Sequence, residues 1–390
     1  MASYDFDEII TRKNTNSIKF DFARERGLPE GLLPMWVADM DFRTAPEVIA
    51  RLEEVARHGI FGYTEVKDDY YRAVLGWFRR RFGHDFDRSS VVKTPGVVYA
   101  LAMAIRAFTE PGDPVIVQTP VYYPFSGTVR ENGRRLVDNA LVYRDGRYLM
   151  DLVDLENKIV SEKARLLLLC SPHNPVGRVW DIEELAELGR ICLRHGCLIV
   201  SDEIHCDFVF GGRRHHLLAS VDKALEEITI TLTAPSKTFN LAGLHCSNAF
   251  LPNPELRRLF KDEISRSGLS QLNAMGLAAC QAAYEHGEPW LEALLGYLEG
   301  NIGFCHGFFQ DRLPTLRLVE PEGTYLLWID FGPTGLRHEE ICRLVVDQAR
   351  LWLDEGTMFG EAGTGFQRLN MACPRSVLAE ALERLEKALS

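Results

Sequence analysis

Lys237 lies in TAPSKTFNLAG, between a β-branched run and a Gly-containing turn, a poor setting for a solvated charge and a good one for a nucleophile. Ile228 to Leu232 is β-branched and alternating, so it reads as a strand, and Pro235 ends it because proline has no ladder donor. The lysine therefore falls at a strand end, near the rim of a sheet. Partly desolvated there, it can shed its proton, and the neutral amine can form a Schiff base with an aldehyde. Taken alone, however, a lysine in a polar loop is more often a solvated surface charge.

Other residues supply what a Schiff-base lysine needs. Asp202-Glu203 directly follows the apolar run CLIVS; a carboxylate there can hold a protonated ring nitrogen or cap the next element. His173-Asn174-Pro175-Val176-Gly177 sits just past another strand and reads otherwise as a turn. Gly96 opens an apolar helix whose first amides, those of Val97 and Val98, would face an anion. Tyr122 and Tyr123 offer either core packing or an aromatic face for a planar ring. Arg368, flanked by apolar residues in FQRLNM, is hard to place as an exposed strand residue, and a partly buried arginine usually meets a carboxylate or phosphate.

The elements that must position these residues alternate. Helices are expected over Pro46 to His58, begun by a capping box at Thr44 and stopped by Gly59, through Arg80, over Val97 to Phe108, from Tyr122 to Glu131, and over Ile182 to His195. Strands are expected at Pro114 to Gln118, Leu166 to Cys170, Cys197 to Ser201, ahead of Lys237, and at His245 to Phe250. Continuous apolar strands separated by helices predict an α/β fold with a mostly parallel sheet covered on both faces. Ligands bind such sheets at the carboxyl ends of the strands, where Lys237, Asp202 and Asn174 all fall. After Pro254 come long helices, then strands at Thr315 to Val319, Tyr325 to Asp330 and Phe366 to Met371 and a last helix from Arg375 to Leu389, the pattern of an α+β unit. The expected division is a large domain, 46–284, and a smaller one made of 1–45 plus 285–390.

With 390 residues, 46% hydrophobic and 25% charged, the chain can bury a large core. A net charge of −11 argues against a broad nucleic-acid footprint. Nine cysteines without a CxxC argue for reduced thiols in a cytoplasmic protein, and against a disulfide framework or a metal site. The N-terminus lacks the basic and apolar regions of a signal peptide, and the longest apolar runs are too short to span a bilayer.

Taken as a set, Asn174-Pro175-x-Gly177, Asp202, Ser236-Lys237 and Arg368 resemble, in identity, order and spacing, the pyridoxal phosphate (PLP) enzymes of fold type I, the aspartate aminotransferase superfamily. MWVADMDF, Gly62-Tyr63, SPHNPVGRVW, SDEIHCD, SKTFNLAG and RLNMACPR narrow the likeness to its MalY/PatB-type cystathionine β-lyase, or carbon-sulfur lyase, branch. The resemblance implies that Lys237 holds PLP as a Schiff base and serves as the base for the α-proton. It implies Asp202 on the pyridine nitrogen, Asn174 on the ring hydroxyl and Tyr122 stacked on the ring. It further implies the Gly96, Val97 and Val98 amides and Ser236 on the phosphate, Tyr63 reaching that phosphate from the second subunit of a homodimer, and Arg368 on the substrate carboxylate, helped by backbone near Val37 and Ala38. The sequence departs from the wider pattern at His205, where a tyrosine is common, and at Ala234 and His245, where phosphate ligands are common; Ser236 or Thr233 are the substitutes.

The implied activity is β-elimination on cysteine S-conjugates, with an aminotransferase as runner-up. A regulatory protein on the same fold is a distant third, since such regulators append a DNA-binding domain and the stretch ahead of MWVADMDF leaves no room for one. Trp36, Trp180, Tyr123 and the loop at Thr357 to Glu361 are the candidates for the thiol-side pocket, with packing the plainer role for Trp180.

Overall fold

A computed structural model describes residues 4–390. Its centre is a seven-stranded sheet: β1 (Val91–Thr94), β2 (Pro114–Val117), β3 (Arg135–Asp138), β4 (Leu166–Cys170), β5 (Leu198–Asp202), β6 (Thr229–Thr233) and β7 (Ser247–Phe250). They lie in the order β1-β7-β6-β5-β4-β2-β3. All neighbouring strands are parallel except β7, which runs antiparallel to both β1 and β6. Every residue of β4 and β6 is buried, as expected of strands covered on both faces. The sheet is mostly parallel, as the apolar strand pattern predicts.

Helices α1 (Pro46–His58), α2 (Asp68–Phe82) and α3 (Val97–Phe108) precede or cross over this sheet. The capping box expected at Thr44 does not form: the residue ahead of α1 is Ala45, without a side-chain bond to the helix, and Thr44 Oγ1 is buried with no partner. Pro46 is already the first helical residue, and proline is at home there without a cap because its missing N–H is one that a helix start leaves unpaired.

A second, four-stranded antiparallel sheet holds Arg368. It comprises β8 (Arg317–Leu318), β9 (Leu326–Asp330), β10 (Asp354–Glu355) and β11 (Phe366–Asn370), in the order β8-β9-β11-β10. The N-terminal arm is tied to this part of the chain, with Leu33–Pro34 pairing in parallel with Leu351–Trp352. Among the described residues no helix is long and apolar enough to cross a membrane.

Candidate active site

Strand ends bring the chemistry together. One cavity of about 150 Å³ is lined by Ala38, Gly96, Val97, Val98, Tyr122, Asn174, Asp202, His205, Ser236 and Lys237. His245, Cys170 and Cys246 also face it. Ten of the residues singled out from sequence thus share a single space. Arg368 stands one hydrogen bond behind it, donating from Nη1 to Asn174 Oδ1 (3.0 Å).

Lys237 is placed by the end of β6, where Pro235 starts a four-residue turn of helix, Pro235–Thr238. Its Nζ donates to the carbonyl of Ala38 (2.6 Å), and burial lowers its pKa to about 8. Arg368 lowers it further, while the Asp39 and Asp202 carboxylates oppose the shift. A substantial neutral fraction at near-neutral pH is what a nucleophilic amine requires.

Consecutive residues at the end of β5 separate the roles of two acids. Side chains alternate across a strand, so Asp202 and Glu203 point to opposite sides. Glu203 is fully buried and satisfied by Ser201 Oγ (2.8 Å), His215 Nε2 (2.7 Å) and the Leu218 amide (3.1 Å). Asp202 faces the cavity, accepts only the Ile204 amide (3.2 Å), and is pushed up to about 7 by burial. Lys237 offsets that push only in part, and among the described residues no cation lies within ion-pair distance of the carboxyl.

Arg368 is buried and heavily partnered. Its Nη2 donates to the Trp36 carbonyl (2.8 Å) and to Asp354, and its guanidinium lies 4.9 Å from the centroid of the Phe359 ring. Its Nε remains buried without a partner. His205 Nδ1 is likewise buried and unpaired, and burial, with Lys237 and Arg368 adding to it, holds that imidazole well below its ordinary pKa and so neutral.

The WVADMDF segment is rigidly held. Asn370 Nδ2 donates to the carbonyls of Val37 (2.6 Å) and Asp39 (2.5 Å), and Tyr325 Oη to that of Ala38 (2.9 Å). Asn240 takes the Met40 amide (3.0 Å) and donates to the Met40 and Phe42 carbonyls (2.9 and 3.0 Å). Buried Lys19 (2.8 Å) and Arg12 (2.8 Å) clamp Asp41. The carbonyls of Val37 and Ala38 are therefore engaged, so any help they give a carboxylate must come from their amides. Asn370, Tyr325 and Asp354 escape the sequence reading; a lone polar residue in the apolar runs around 325–330, 351–354 and 366–372 is the signal that could have found them.

Five expectations are refined. Thr233 Oγ1 donates to the Asn248 carbonyl (3.2 Å) and is not free for a phosphate, whereas Ser236 reaches the cavity. Trp180 is core, its Nε1 bonded to the Cys170 carbonyl (3.0 Å), and Trp36 stacks on Trp352 at 4.5 Å outside the cavity. No residue of the loop at Thr357 to Glu361 lines the cavity, but Phe359 O accepts the amide of Val121, the neighbour of Tyr122 (3.0 Å). Gly360 permits this approach, since at its φ of +121° a Cβ would fall 2.8 Å from Thr119 Cβ. Tyr63 is 98% exposed and does not line its own chain's cavity.

Elsewhere, His338, Cys342 and Glu355 converge. The Gly365 amide donates to His338 Nδ1 (3.2 Å), while Nε2 lies 3.2 Å from Thr357 Oγ1, 3.6 Å from Cys342 Sγ and 3.7 Å from Glu355 Oε2.

The sequence profile described as aminotransferase class I and II matches residues 32–385. The chain belongs to that family. Within it, the chain is 43% identical over 385 residues to the cystathionine beta-lyase PatB of Bacillus subtilis (strain 168), covering 99% of this chain and 100% of PatB. Cystalysin from Treponema denticola, which contains a pyridoxal 5'-phosphate cofactor, superposes with a TM-score of 0.95 at 38% identity, covering 100% of this chain and 99% of cystalysin. A PLP-bound chain from Clostridium difficile 630, provisionally described as an aminotransferase, superposes at 0.97 with 42% identity over all of both chains. Two relatives named as aminotransferases are 25% and 26% identical.

The cavity fits PLP on its own evidence. Asp202 is a buried acid without an ion-pair partner, the partner a protonated pyridine would supply. The twelve-residue α3 presents its first amides at Val97 and Val98 with no side-chain cap over them, the arrangement that takes a phosphate. Tyr122 lines the space between, its amide bonded to the Asn174 carbonyl (3.0 Å).

Proposed function

We propose that this protein is a PLP-dependent carbon-sulfur lyase that cleaves cysteine S-conjugates such as L-cystathionine to a thiol, pyruvate and ammonia. PLP, when bound, supplies an aldehyde that joins to amines and a protonated ring that accepts carbanion charge. The enclosed pair of Lys237 and Asp202 supports the cofactor's place. The end-to-end likeness to PatB carries the choice of elimination.

Lys237 is assigned to hold the cofactor and then, with its Nζ freed by substrate, to take the α-proton. The Ala38 carbonyl, already its partner, gives that amine a resting place. Asp202 stays ionised against the ring nitrogen; Asn174, whose Oδ1 is engaged by Arg368, has its Nδ2 left for the ring hydroxyl. Tyr122 stacks on the ring, the Gly96 to Val98 amides and Ser236 take the phosphate, and His205 offers its unpaired Nδ1. Arg368 orients the substrate α-carboxylate through its unpaired Nε–H, with the Val37 and Ala38 amides beside it. The thiolate then leaves the substrate β-carbon, and the released enamine hydrolyses to pyruvate and ammonia.

Aminotransfer is the second reading, favoured by the Clostridium difficile likeness. We take 46–284 as the large domain and 1–45 plus 285–390 as the small one. Nine free cysteines support a cytoplasmic setting. A homodimer is supported by Ile60, Phe61 and Tyr63, exposed by 75%, 65% and 98%, an apolar patch that a second copy would cover while Tyr63 reached its phosphate.

Lys237→Ala tests the assignment. Pyruvate release from L-cystathionine should disappear while the fold, by circular dichroism, is kept; borohydride reduction of wild-type holoprotein should leave the cofactor's mass on the Lys237 peptide. Sustained release by the variant would contradict the assignment.

A further inference from the structure

Arg26 has no use in the machinery above. It ends a short turn, Arg24–Arg26, closed by Gly27 in the left-handed conformation (φ 72°) and by bonds from the Gly27 amide to Arg24 O (3.0 Å) and from Leu28 to Ala23 O (2.9 Å). Ala23 and Leu28 pack on the cluster of Leu32, Trp36 and Trp352, so the turn is anchored. The guanidinium lies over the Trp36 ring, 4.7 Å from its centroid, and that ring is stacked on Trp352. Trp36 thus links two arginines: its ring carries Arg26, and its backbone carbonyl accepts from Arg368.

Arg26 is solvent-exposed and, among the described residues, makes neither an ion pair nor a hydrogen bond. Its charge acts on Asp354, the partner of Arg368, and on Tyr123, opposing with Arg368 the upward push of burial on each. Tyr123, 36% exposed, lies with its ring 5.0 Å from that of the cavity-lining Tyr122. A planar cation, pre-oriented by stacking and without an acid of its own, is suited to a carboxylate.

We propose that Arg26 is a specificity-determining residue that receives a distal carboxylate on the leaving side of the substrate, making the preferred conjugates those whose thiol portion is anionic. The proposal rests on the amino-acid substrate of the reading above, with Arg368 on the α-carboxylate, but not on which reaction follows.

Binding tests it independently of turnover. L-2-aminopimelate and L-2-aminoheptanoate lack sulfur and differ only in ending in a carboxylate or a methyl group. Titrated calorimetrically into PLP-loaded wild type, the diacid should bind roughly tenfold tighter, a preference shrinking at high salt, as one charge-assisted contact near solvent allows. In Arg26→Gln the ratio should fall close to one, with Arg26→Lys between. Equal affinities in wild type, or an unchanged ratio in Arg26→Gln, would overturn the proposal. Pyruvate release from S-(2-carboxyethyl)-L-cysteine, scored separately, reports on elimination alone.

Discussion

A carboxyl group enclosed without an ion-pair partner costs folding free energy when it is ionised, and Asp202 is such a group. Its folded pKa, about 7, lies above the unfolded value near 4, so the folded state binds the extra proton between them. Stability of the unloaded protein therefore falls as pH rises through that window, and the cost is complete above it. Asp202→Asn should raise the unloaded protein's Tm at pH 7.5 by a few degrees, on the order expected for one such buried charge, with the gain vanishing toward pH 4. The same variant should lose affinity for PLP. A scanning-fluorimetry series across pH checks both; a variant less stable than wild type at pH 7.5 would refute the reading of Asp202 as an unpaired acid awaiting its partner. Lys237, Asp202 and Asn174 were legible in the sequence because each lies at or just past the carboxyl end of an apolar strand. Asp354 was not, because its partnership with Arg368 joins β10 to β11 and no local pattern announces which acid a buried arginine will meet.

The strands that set these side chains were readable to the degree that they are apolar. Leu166–Cys170 appears in the sequence with its observed bounds, and Val97–Phe108 likewise as a helix. The edge strand β3, RLVD, has only one buried residue, and the edge strand β1, VVKT, carries a lysine that breaks its apolar run; neither shows a pattern clear enough to recognise. Direction was also hidden: β7 is antiparallel to its neighbours, though its composition resembles that of the parallel strands. The WVADMDF segment read as a buried stretch and turn, which it is, but its partners come from residues some two hundred to more than three hundred positions away, Asn240, Tyr325 and Asn370 among them. Rigidity of that segment is a tertiary property, created when the arm joins the second sheet.

Assembly belongs to the whole molecule. Ile60, Phe61 and Tyr63 leave an apolar patch open on one chain, and Tyr63 stands outside its own chain's cavity. If a second copy covers the patch and borrows Tyr63, mixing Lys237→Ala with Tyr63→Ala subunits should rebuild one intact site per mixed dimer, so that subunit exchange recovers about a quarter of wild-type activity by random pairing. No gain over the separate variants would place Tyr63 outside the partner's site. The central claim, elimination by a PLP-bearing chain, is tested most directly by counting pyruvate against active sites. With L-cystathionine in excess and no keto acid present, the account predicts many equivalents of pyruvate per site, with ammonia and thiol in equal amount. Absent pyruvate, with the cofactor converted to pyridoxamine phosphate after a single turnover, would contradict it.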